Sequence, residues 1–338
     1  MTIQELINKH KPETLIDGER ISEIVETHIS WVLLGDLFVY KVKKPVKMSF
    51  LDFSTLELRE HFCNREVELN QRLAPAIYLG VISLTENSFS DEGERGRIID
   101  YAVKMKRLPN DLEMRRMLRD GSVTADQMMR IARIISTFHQ SAERIIDKVT
   151  TADLFDDFKD ISQIKNFTEK QLGSEAVEQL HNVVKIAETF TTKYRKQIDQ
   201  RSHAGMVRDV HGDLHSGNIF LTDPPIIFDC IEFNDHFRQI DMLNEIAFFC
   251  MDLEFYGQAD LSQLFVAEYI RLLDLPYDAF EKMLFLFYKF YRANVKTKIN
   301  AIKAIQENSG HRNKHRESLF SAYFSLMLRY GDQLSGLI

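Results

Sequence analysis

Cysteine is scarce in this 338-residue sequence, and its three copies follow no pairing pattern. Cys63, Cys230 and Cys250 are odd in number, widely spaced and not part of any Cys-x-x-Cys motif. This usage argues against a disulfide scaffold and against a cysteine-based zinc site. It favours a protein that stays reduced.

Long apolar runs, an excess of basic charge and low-complexity segments are absent as well. No run approaches the ~20 apolar residues of a transmembrane helix, and the polar start Met1-Thr2-Ile3-Gln4-Glu5 does not resemble a signal peptide. A net charge of −7 argues against a general nucleic-acid binder. We therefore expect a cytoplasmic protein that binds neither membranes nor nucleic acid. The oligomeric state is not readable from the sequence.

The composition that remains is that of a globular protein with a sizeable core. Hydrophobic residues make up 44% of the chain and charged residues 28%. The length exceeds one average domain and suits a two-lobed fold or two domains.

The most informative stretch runs from Val210 to Asp229 and reads VHGDLHSGNIFLTDPPIIFD. Two short apolar runs flank Thr-Asp-Pro-Pro, which predicts a β-hairpin. If Leu221 faces Ile226, antiparallel pairing places Asn218 opposite Asp229 at the open end of the hairpin. Asp213 lies on the loop just before it. Oxygen ligands gathered in this way suit a hard cation such as Mg²⁺, which usually binds together with substrate phosphates.

The order of these residues carries a family resemblance. The stretch contains, in order, an Asp on a loop, an Asn, a hairpin and a second Asp. This order resembles the catalytic loop and metal-binding Asp of kinase-like folds. The residues of the motif resemble those of the aminoglycoside phosphotransferase and choline kinase branch. The resemblance spans roughly Glu26 to Ala301. It implies an ATP- and Mg²⁺-dependent kinase of a small-molecule hydroxyl. In that family Asp213 would position and deprotonate the acceptor hydroxyl, and Asn218 and Asp229 would hold Mg²⁺ on the ATP phosphates.

The same resemblance implies an α+β, bilobal fold. Residues 1–108 would form an N-terminal nucleotide-binding lobe, with an antiparallel sheet of about five strands and one main helix. Residues 109–338 would form a larger, mostly helical lobe for catalysis and acceptor binding, with a helical insertion at about 150–205. Some relatives carry an additional C-terminal P-loop kinase domain. Because the sequence has no Gly-x-x-x-x-Gly-Lys-[Ser/Thr] motif, we expect the phosphotransferase part alone.

A strand lysine and a helix glutamate form the second predicted pair. Lys41 and Lys43 share one face of a strand, and the resemblance implies that Lys41, or else Lys43, contacts the ATP phosphates. Glu66 lies on the apolar stripe of the following helix, where a carboxylate is costly unless it is paired. Lys41 is the expected partner. The alternatives are an edge-strand lysine that limits aggregation and a rotated helix that exposes Glu66.

Adenine contacts are predicted from position only. The segment that ends before Pro109 matches the hinge of the family, so backbone groups of about Met105 to Arg107 would hydrogen-bond the adenine. The glycine-rich phosphate loop of protein kinases is missing. A single Gly35 in a tight turn offers fewer phosphate contacts.

Other functions remain open on this evidence. One is a non-catalytic nucleotide-binding module, and another is a protein kinase, which the missing glycine-rich loop disfavours. A third is a binuclear metallophosphoesterase, since His211, Asp213 and His215 have metal-ligand spacing. That enzyme class needs further His and Asp ligands upstream, and the sequence has no matching cluster.

Several further residues have two interpretations each. Glu232 is either an additional metal ligand or a supporting residue, and Asp241 resembles a buried Asp that hydrogen-bonds the catalytic loop. On the last part of the chain, Arg292, Lys296 and Lys298 form either a basic face near the acceptor or a solvated basic surface. An acidic cleft would indicate cationic acceptors, but the net charge of the chain does not show where its acidic residues lie.

Overall fold

The computed structural model describes residues 5, 15–86, 96–146, 151–306 and 311–338, the side chains of 311 and 312 excepted. It divides into two compact units: residues 1–116 with 217–238, and residues 117–216 with 239–338. The predicted lobe boundary at residue 108 stays a prediction.

The first unit contains a six-stranded antiparallel sheet. A turn at Thr27 joins two antiparallel strands of this sheet, and the Thr27 hydroxyl accepts a hydrogen bond there from the Ser30 amide at 2.9 Å. The strands of this unit are β1 (Leu15–Ile16), β2 (Glu19–Glu26), β3 (Ser30–Gly35), β4 (Phe38–Lys43), β5 (Lys47–Met48), β6 (Leu51–Asp52), β7 (Tyr78–Thr85), β8 (Ile98–Lys106), β10 (Ile219–Phe220) and β11 (Ile226–Ile227). The order of strands in the six-stranded sheet is β1-β2-β3-β4-β8-β7.

Helix α1 (Leu56–Asn70) lies between these strands in sequence, and Thr55 is its N-cap residue. The Thr55 hydroxyl accepts a hydrogen bond from the Leu58 amide at 3.2 Å, which satisfies one of the free donors of the first turn. Cys63 on this helix is buried in one apolar cluster with residues of β7 and β8. The buried Arg59–Asp100 ion pair, at 2.8 Å, also joins α1 to β8. These contacts fix the rotation of the helix that carries Glu66.

The β10–β11 hairpin forms as predicted, but its register differs by one residue. Phe220, not Leu221, pairs with Ile226, and the Phe228 amide donates to the Asn218 carbonyl at 3.1 Å. Leu221 leaves the ladder because its amide donates instead to the Leu112 carbonyl at 2.8 Å. The expected pairing of Asn218 with Asp229 is therefore wrong.

The second unit is mainly helical. The boundary at residue 116 falls within the short helix α2 (Met114–Arg119). The other elements of the second unit are α3 (Ala125–Ser141), α4 (Thr151–Lys159), α5 (Lys165–Leu172), α6 (Ser174–Lys193), α7 (Arg195–His203), β9 (Val207–Asp209), β12 (Gln239–Asp241), α8 (Met242–Phe255), α9 (Ala259–Leu273), α10 (Ala279–Gln306) and α11 (His311–Ser335). Strands β9 and β12 form an antiparallel pair. Thr124 and Gln127 form a capping box at the start of α3.

The helical insertion packs into the core of the second unit. Phe158 of α4 lies 4.7 Å from Phe290 of α10, and Phe190 of α6 stacks on Phe287 at 4.4 Å, measured between ring centroids. Aromatic pairs at these distances contribute beyond the area that they bury. Within the described ranges, no helix has the length and apolar character required to cross a membrane.

Candidate active site

The first unit contains a cluster of charged side chains on β4, α1 and the segment after β11. Both lysines predicted on one strand face contact the same carboxylate: Lys41 Nζ lies 2.9 Å from Glu66 Oε1, and Lys43 Nζ lies 2.6 Å from Glu66 Oε2. Lys41 Nζ also lies 2.6 Å from Asp229 Oδ1. The structure therefore brings Lys41, Glu66 and Asp229 together, although Asp229 is 188 residues from Lys41 in the chain.

The side chains of this cluster differ in their exposure to solvent. The Glu66 and Lys43 side chains are fully buried, whereas those of Lys41 and Asp229 are 15% and 41% exposed. Lys43 also contacts the carboxylate of Glu232, so two acidic groups neutralise it inside the protein. A ligand can reach Lys41 and Asp229 but not Lys43. The arrangement assigns Lys43 to holding Glu66, and direct phosphate contact by Lys43 finds no support in it.

The charges in this cluster shift one another's pKa values. Burial alone would raise the pKa of Glu66, but the charges of Lys41 and Lys43 outweigh it and lower that pKa. For Glu232 burial prevails, and its pKa is raised despite the contact with Lys43. The pKa of Lys41 is raised because Asp229 and Glu66 outweigh the effect of its burial. At neutral pH both lysines and Glu66 are therefore charged.

The backbone around Asp229 explains how its side chain is aimed. Asp229 has a φ of 64°, in the left-handed region that Asp tolerates better than most residues. Its amide donates to the Tyr78 hydroxyl at 3.2 Å, and the next amide, that of Cys230, donates to Asn70 Oδ1 at 2.8 Å. Groups from β7 and α1 thus hold the chain directly after the hairpin.

Asn218 and Asp229 remain near the same open end of the hairpin, one register step from the predicted pairing. The Asn218 side chain is nearly buried, at 6% exposure for the residue. Amide and carboxylate oxygens are suitable ligands for a hard divalent cation, so the donor chemistry of the pair fits Mg²⁺. Among the described residues, no three His, Cys, Asp or Glu side chains gather as a metal cluster. The metallophosphoesterase alternative therefore gains no support.

The predicted hinge residues lie at the end of β8. The Arg107 amide donates to the Leu37 carbonyl at 2.8 Å, and the Lys106 amide donates to the Ile77 carbonyl at 3.0 Å. Met105 lies within the sheet, opposite Val39 on one side. The two amide donors are thus engaged within the protein, and adenine recognition by Met105 to Arg107 stays a prediction.

Asp213 lies in the second unit, on the loop after β9. Its carboxylate is 3.3 Å from His215 Nε2, and its side chain is 34% exposed. Burial would raise the pKa of Asp213, but the charges of His215, Lys296 and His211 lower it well below its ordinary value. Asp213 is therefore ionised at neutral pH and accessible.

Two buried carboxylates on α8 hold this loop by its backbone. Glu245 Oε1 accepts from the Gly212 amide at 2.6 Å, and Asp252 Oδ2 accepts from the Ser216 amide at 2.8 Å. Glu245 also contacts His139 Nε2 at 2.6 Å, which gives His139 a structural role. Gly212 has a φ of 86°, a conformation that glycine adopts without steric cost. Charge-assisted hydrogen bonds of this kind restrict the loop that presents Asp213.

The sequence singled out Asp241 for that role, and this expectation is wrong. Asp241 pairs instead with Arg201 of α7, at 2.6 Å, and caps α8 by accepting from the Leu243 amide at 2.8 Å. Glu245 and Asp252 were missed. They are acidic residues seven positions apart within an otherwise apolar run, and that pattern could have indicated buried carboxylates on one face of a helix.

Comparisons with known proteins add the following. No protein-family model matches the chain. An uncharacterised protein of Mycobacterium tuberculosis (strain H37Rv) is 31% identical over 297 residues, which cover 86% of this chain and 57% of the relative. An uncharacterised protein of Mycobacterium bovis matches with the same figures. The chain thus spans a little over half the length of these curated relatives.

Solved structures resemble more than nine-tenths of the chain at low sequence identity. Choline kinase from Cryptosporidium parvum Iowa II has a TM-score of 0.54 at 12% identity and covers 92% of this chain, with 90% of its own chain covered. The GDP and kanamycin complex of the aminoglycoside phosphotransferase APH(2″)-IIia has a TM-score of 0.50 at 10% identity, with 96% and 97% covered. The chain has the kinase-like fold of these proteins. The antiparallel sheet and the larger helical part are the two components of that kinase-like fold, as the sequence predicted.

Proposed function

We propose that this kinase-like protein is an ATP- and Mg²⁺-dependent phosphotransferase that acts on a hydroxyl group of a small molecule. The observation that carries the proposal is the contact of Lys41 with both Glu66 and Asp229, at 2.9 Å and 2.6 Å. A lysine held by a helix glutamate beside a metal-binding Asp is the arrangement that phosphoryl transfer by kinase-like folds requires.

The charged cluster and Asn218 would each have a role in nucleotide binding. Lys41 would neutralise phosphate charge, and Glu66, held in turn by Lys43, would fix the direction of the lysine side chain. Asp229 and Asn218 would hold Mg²⁺ at the open end of the hairpin. The bound cation would neutralise negative charge on the phosphate oxygens, which is the main electrostatic need of this reaction.

Asp213 would act on the acceptor. An ionised carboxylate accepts a hydrogen bond from a hydroxyl and thereby orients its oxygen for attack. Because the pKa of Asp213 is lowered, the residue is a weak base, and orientation is its larger contribution. This division of labour suits phosphoryl transfer, in which positioning and charge neutralisation supply most of the rate.

The first experiment measures melting temperature with Mg-ATP, with Mg-GTP and with ATP in the presence of a chelator. We expect a Mg²⁺-dependent shift, since a ligand at about a hundred times its Kd stabilises the folded state by ~2.7 kcal/mol. Asp229→Asn should reduce the shift. The matched control is Asp223→Asn, an exposed Asp in the turn of the same hairpin, which should leave the shift unchanged.

A second variant separates an enzyme from a nucleotide-binding module. Asp213→Asn should keep the Mg-ATP shift while ATP-dependent phosphate transfer to a small-molecule acceptor falls by about a hundredfold or more. No nucleotide shift in well-folded wild-type protein would reject the proposal. A shift without transfer to any hydroxyl compound would support the binding module, and transfer to a protein substrate alone would support the protein kinase.

A further inference from the structure

Two basic residues one helical turn apart on α10 surround a single aromatic ring beside the catalytic loop. The Arg292 guanidinium carbon and Lys296 Nζ each lie 4.8 Å from the centroid of the Phe248 ring. The His215 ring is 5.6 Å from the same ring and contacts Asp213. Cationic groups therefore border Asp213 on the side of Phe248.

Arg292 is not part of a solvated basic surface. It is only 7% exposed, and it donates to Asn244 Oδ1 at 2.7 Å and to the Gly212 carbonyl at 3.5 Å. Within the described part of the chain, no carboxylate forms an ion pair with its guanidinium. A buried charge with only neutral acceptors lowers the stability of the folded protein. We therefore infer that Arg292 is kept for its function.

The acidic groups whose charge reaches Arg292 already have other partners. They are Glu245, Asp213 and Asp157. Glu245 accepts from the Gly212 amide and contacts His139, and the Tyr291 hydroxyl contacts Asp157 at 3.3 Å. Burial still outweighs these acids and lowers the pKa of Arg292, as expected where a cation lacks full compensation.

Lys296 is the accessible member of the pair. It is half-buried and lies 4.8 Å from the Phe248 ring, which also contacts His215, the partner of Asp213. Its charge is one of those that lower the pKa of Asp213. Lys298, two residues on, instead lies 3.9 Å from Asp160. Two positively charged residues of α10 thus lie on this side of the loop, although the chain as a whole is acidic.

Resting on the proposed function, we propose that the hydroxyl acceptor carries an anionic group, a carboxylate or a phosphate or sulfate ester, which Lys296 binds beside Asp213 in the field of Arg292. A cationic amino compound at this position would be repelled by the like charges of Lys296 and Arg292. The charge of the acceptor follows from the local side chains, and the overall charge of −7 gives no guide to it.

The test measures binding of radiolabelled sulfate by equilibrium dialysis at constant ionic strength, with Mg-ADP present. Lys296→Glu should weaken sulfate binding by about tenfold or more, because it removes a charged hydrogen-bond donor and adds repulsion. The control is Lys282→Glu, an exposed lysine 14 residues earlier on α10 and therefore ~21 Å away along the helix. It should leave sulfate binding unchanged.

A second arm compares three compounds with the same polyol chain: gluconate, sorbitol and glucamine. Wild type should bind or phosphorylate gluconate in preference to the other two, and Lys296→Glu should abolish that preference. Wild type without sulfate affinity, a preference for glucamine, or sulfate binding that Lys296→Glu leaves intact would each overturn the proposal.

The two proposals fail separately. The Mg-ADP melting shift should persist in Lys296→Glu, which also shows that this variant folds. If wild type gave no nucleotide shift but sulfate binding still depended on Lys296, the anion site would stand and the kinase function would fall.

Discussion

Glu66→Gln is the substitution on which the charged cluster makes its sharpest prediction. The Glu66 carboxylate is fully buried and contacts Lys41 at 2.9 Å and Lys43 at 2.6 Å. A glutamine of the same shape keeps the volume but removes the negative charge between two positive ones. Lys43 then retains Glu232, and Lys41 retains Asp229.

The expected cost follows from burial. Removing one partner of a buried ion pair destabilises a protein by ~3–5 kcal/mol. Because each lysine keeps a second carboxylate, we expect a loss near the lower end, about 3 kcal/mol, out of a typical total of ~5–15 kcal/mol. Glu68→Gln is the matched control. Glu68 lies on the same helix, is 68% exposed and contacts Arg65 at 2.8 Å, so its loss should cost ~0–1 kcal/mol.

Urea unfolding measures both variants, with the slope m used to check that the unfolded states are comparable. The pKa of Glu66 is lowered on folding, so its contribution to stability is complete above the ordinary glutamate pKa and is lost as the pH falls through the lower folded value. The difference between wild type and Glu66→Gln should therefore be constant from about pH 6 to 8 and shrink in acid. A loss no larger than that of Glu68→Gln would refute the reasoning.

Two further predictions concern the loop that carries Asp213. His215→Asn removes the group 3.3 Å from that carboxylate, so the pKa of Asp213 should rise and the acid limb of the kcat/KM profile should move to higher pH; an unmoved limb would contradict the assignment. Glu245→Gln weakens the 2.6 Å hydrogen bond to the Gly212 amide, and we expect a loss of ~1.5–3 kcal/mol in urea unfolding together with a lower kcat. Stability equal to that of wild type would show that the charge on Glu245 is not needed.

The sequence predicted the Lys41–Glu66 pair because both residues obey local periodicities. The strand period aims Lys41 and Lys43 at one face, and the helical stripe places Glu66 in the core, where it needs a cation. The sequence could not show which of the two lysines is buried. Lys43 is buried against Glu232, which is 189 residues from it in the chain. Only tertiary packing reveals that Lys43 is sealed between two carboxylates.

The errors have the same physical origin. The register of the hairpin was predicted from the turn residues alone. In the structure it is set by a hydrogen bond from the Leu221 amide to the carbonyl of Leu112, more than a hundred residues earlier. The contact of Asp241 with the catalytic loop was predicted by resemblance, yet Asp241 forms an ion pair with Arg201, 40 residues earlier in the chain. Local pattern predicts which elements form. The partner of a buried polar group often comes from a distant part of the chain, and a local sequence pattern does not show which part that is.

The contact between Lys41 and Asp229 has a consequence for ligand discrimination. Each of these side chains is a partner for the other, and each is also the proposed contact for one component of a metal–nucleotide complex. A free polyphosphate could replace Asp229 beside Lys41 only by facing a bare carboxylate. A lone cation could bind Asp229 only by drawing it from the lysine. A ligand that offers both charges together satisfies both groups at once. The pair would thus work as a coincidence detector, selective for the assembled complex over either component alone.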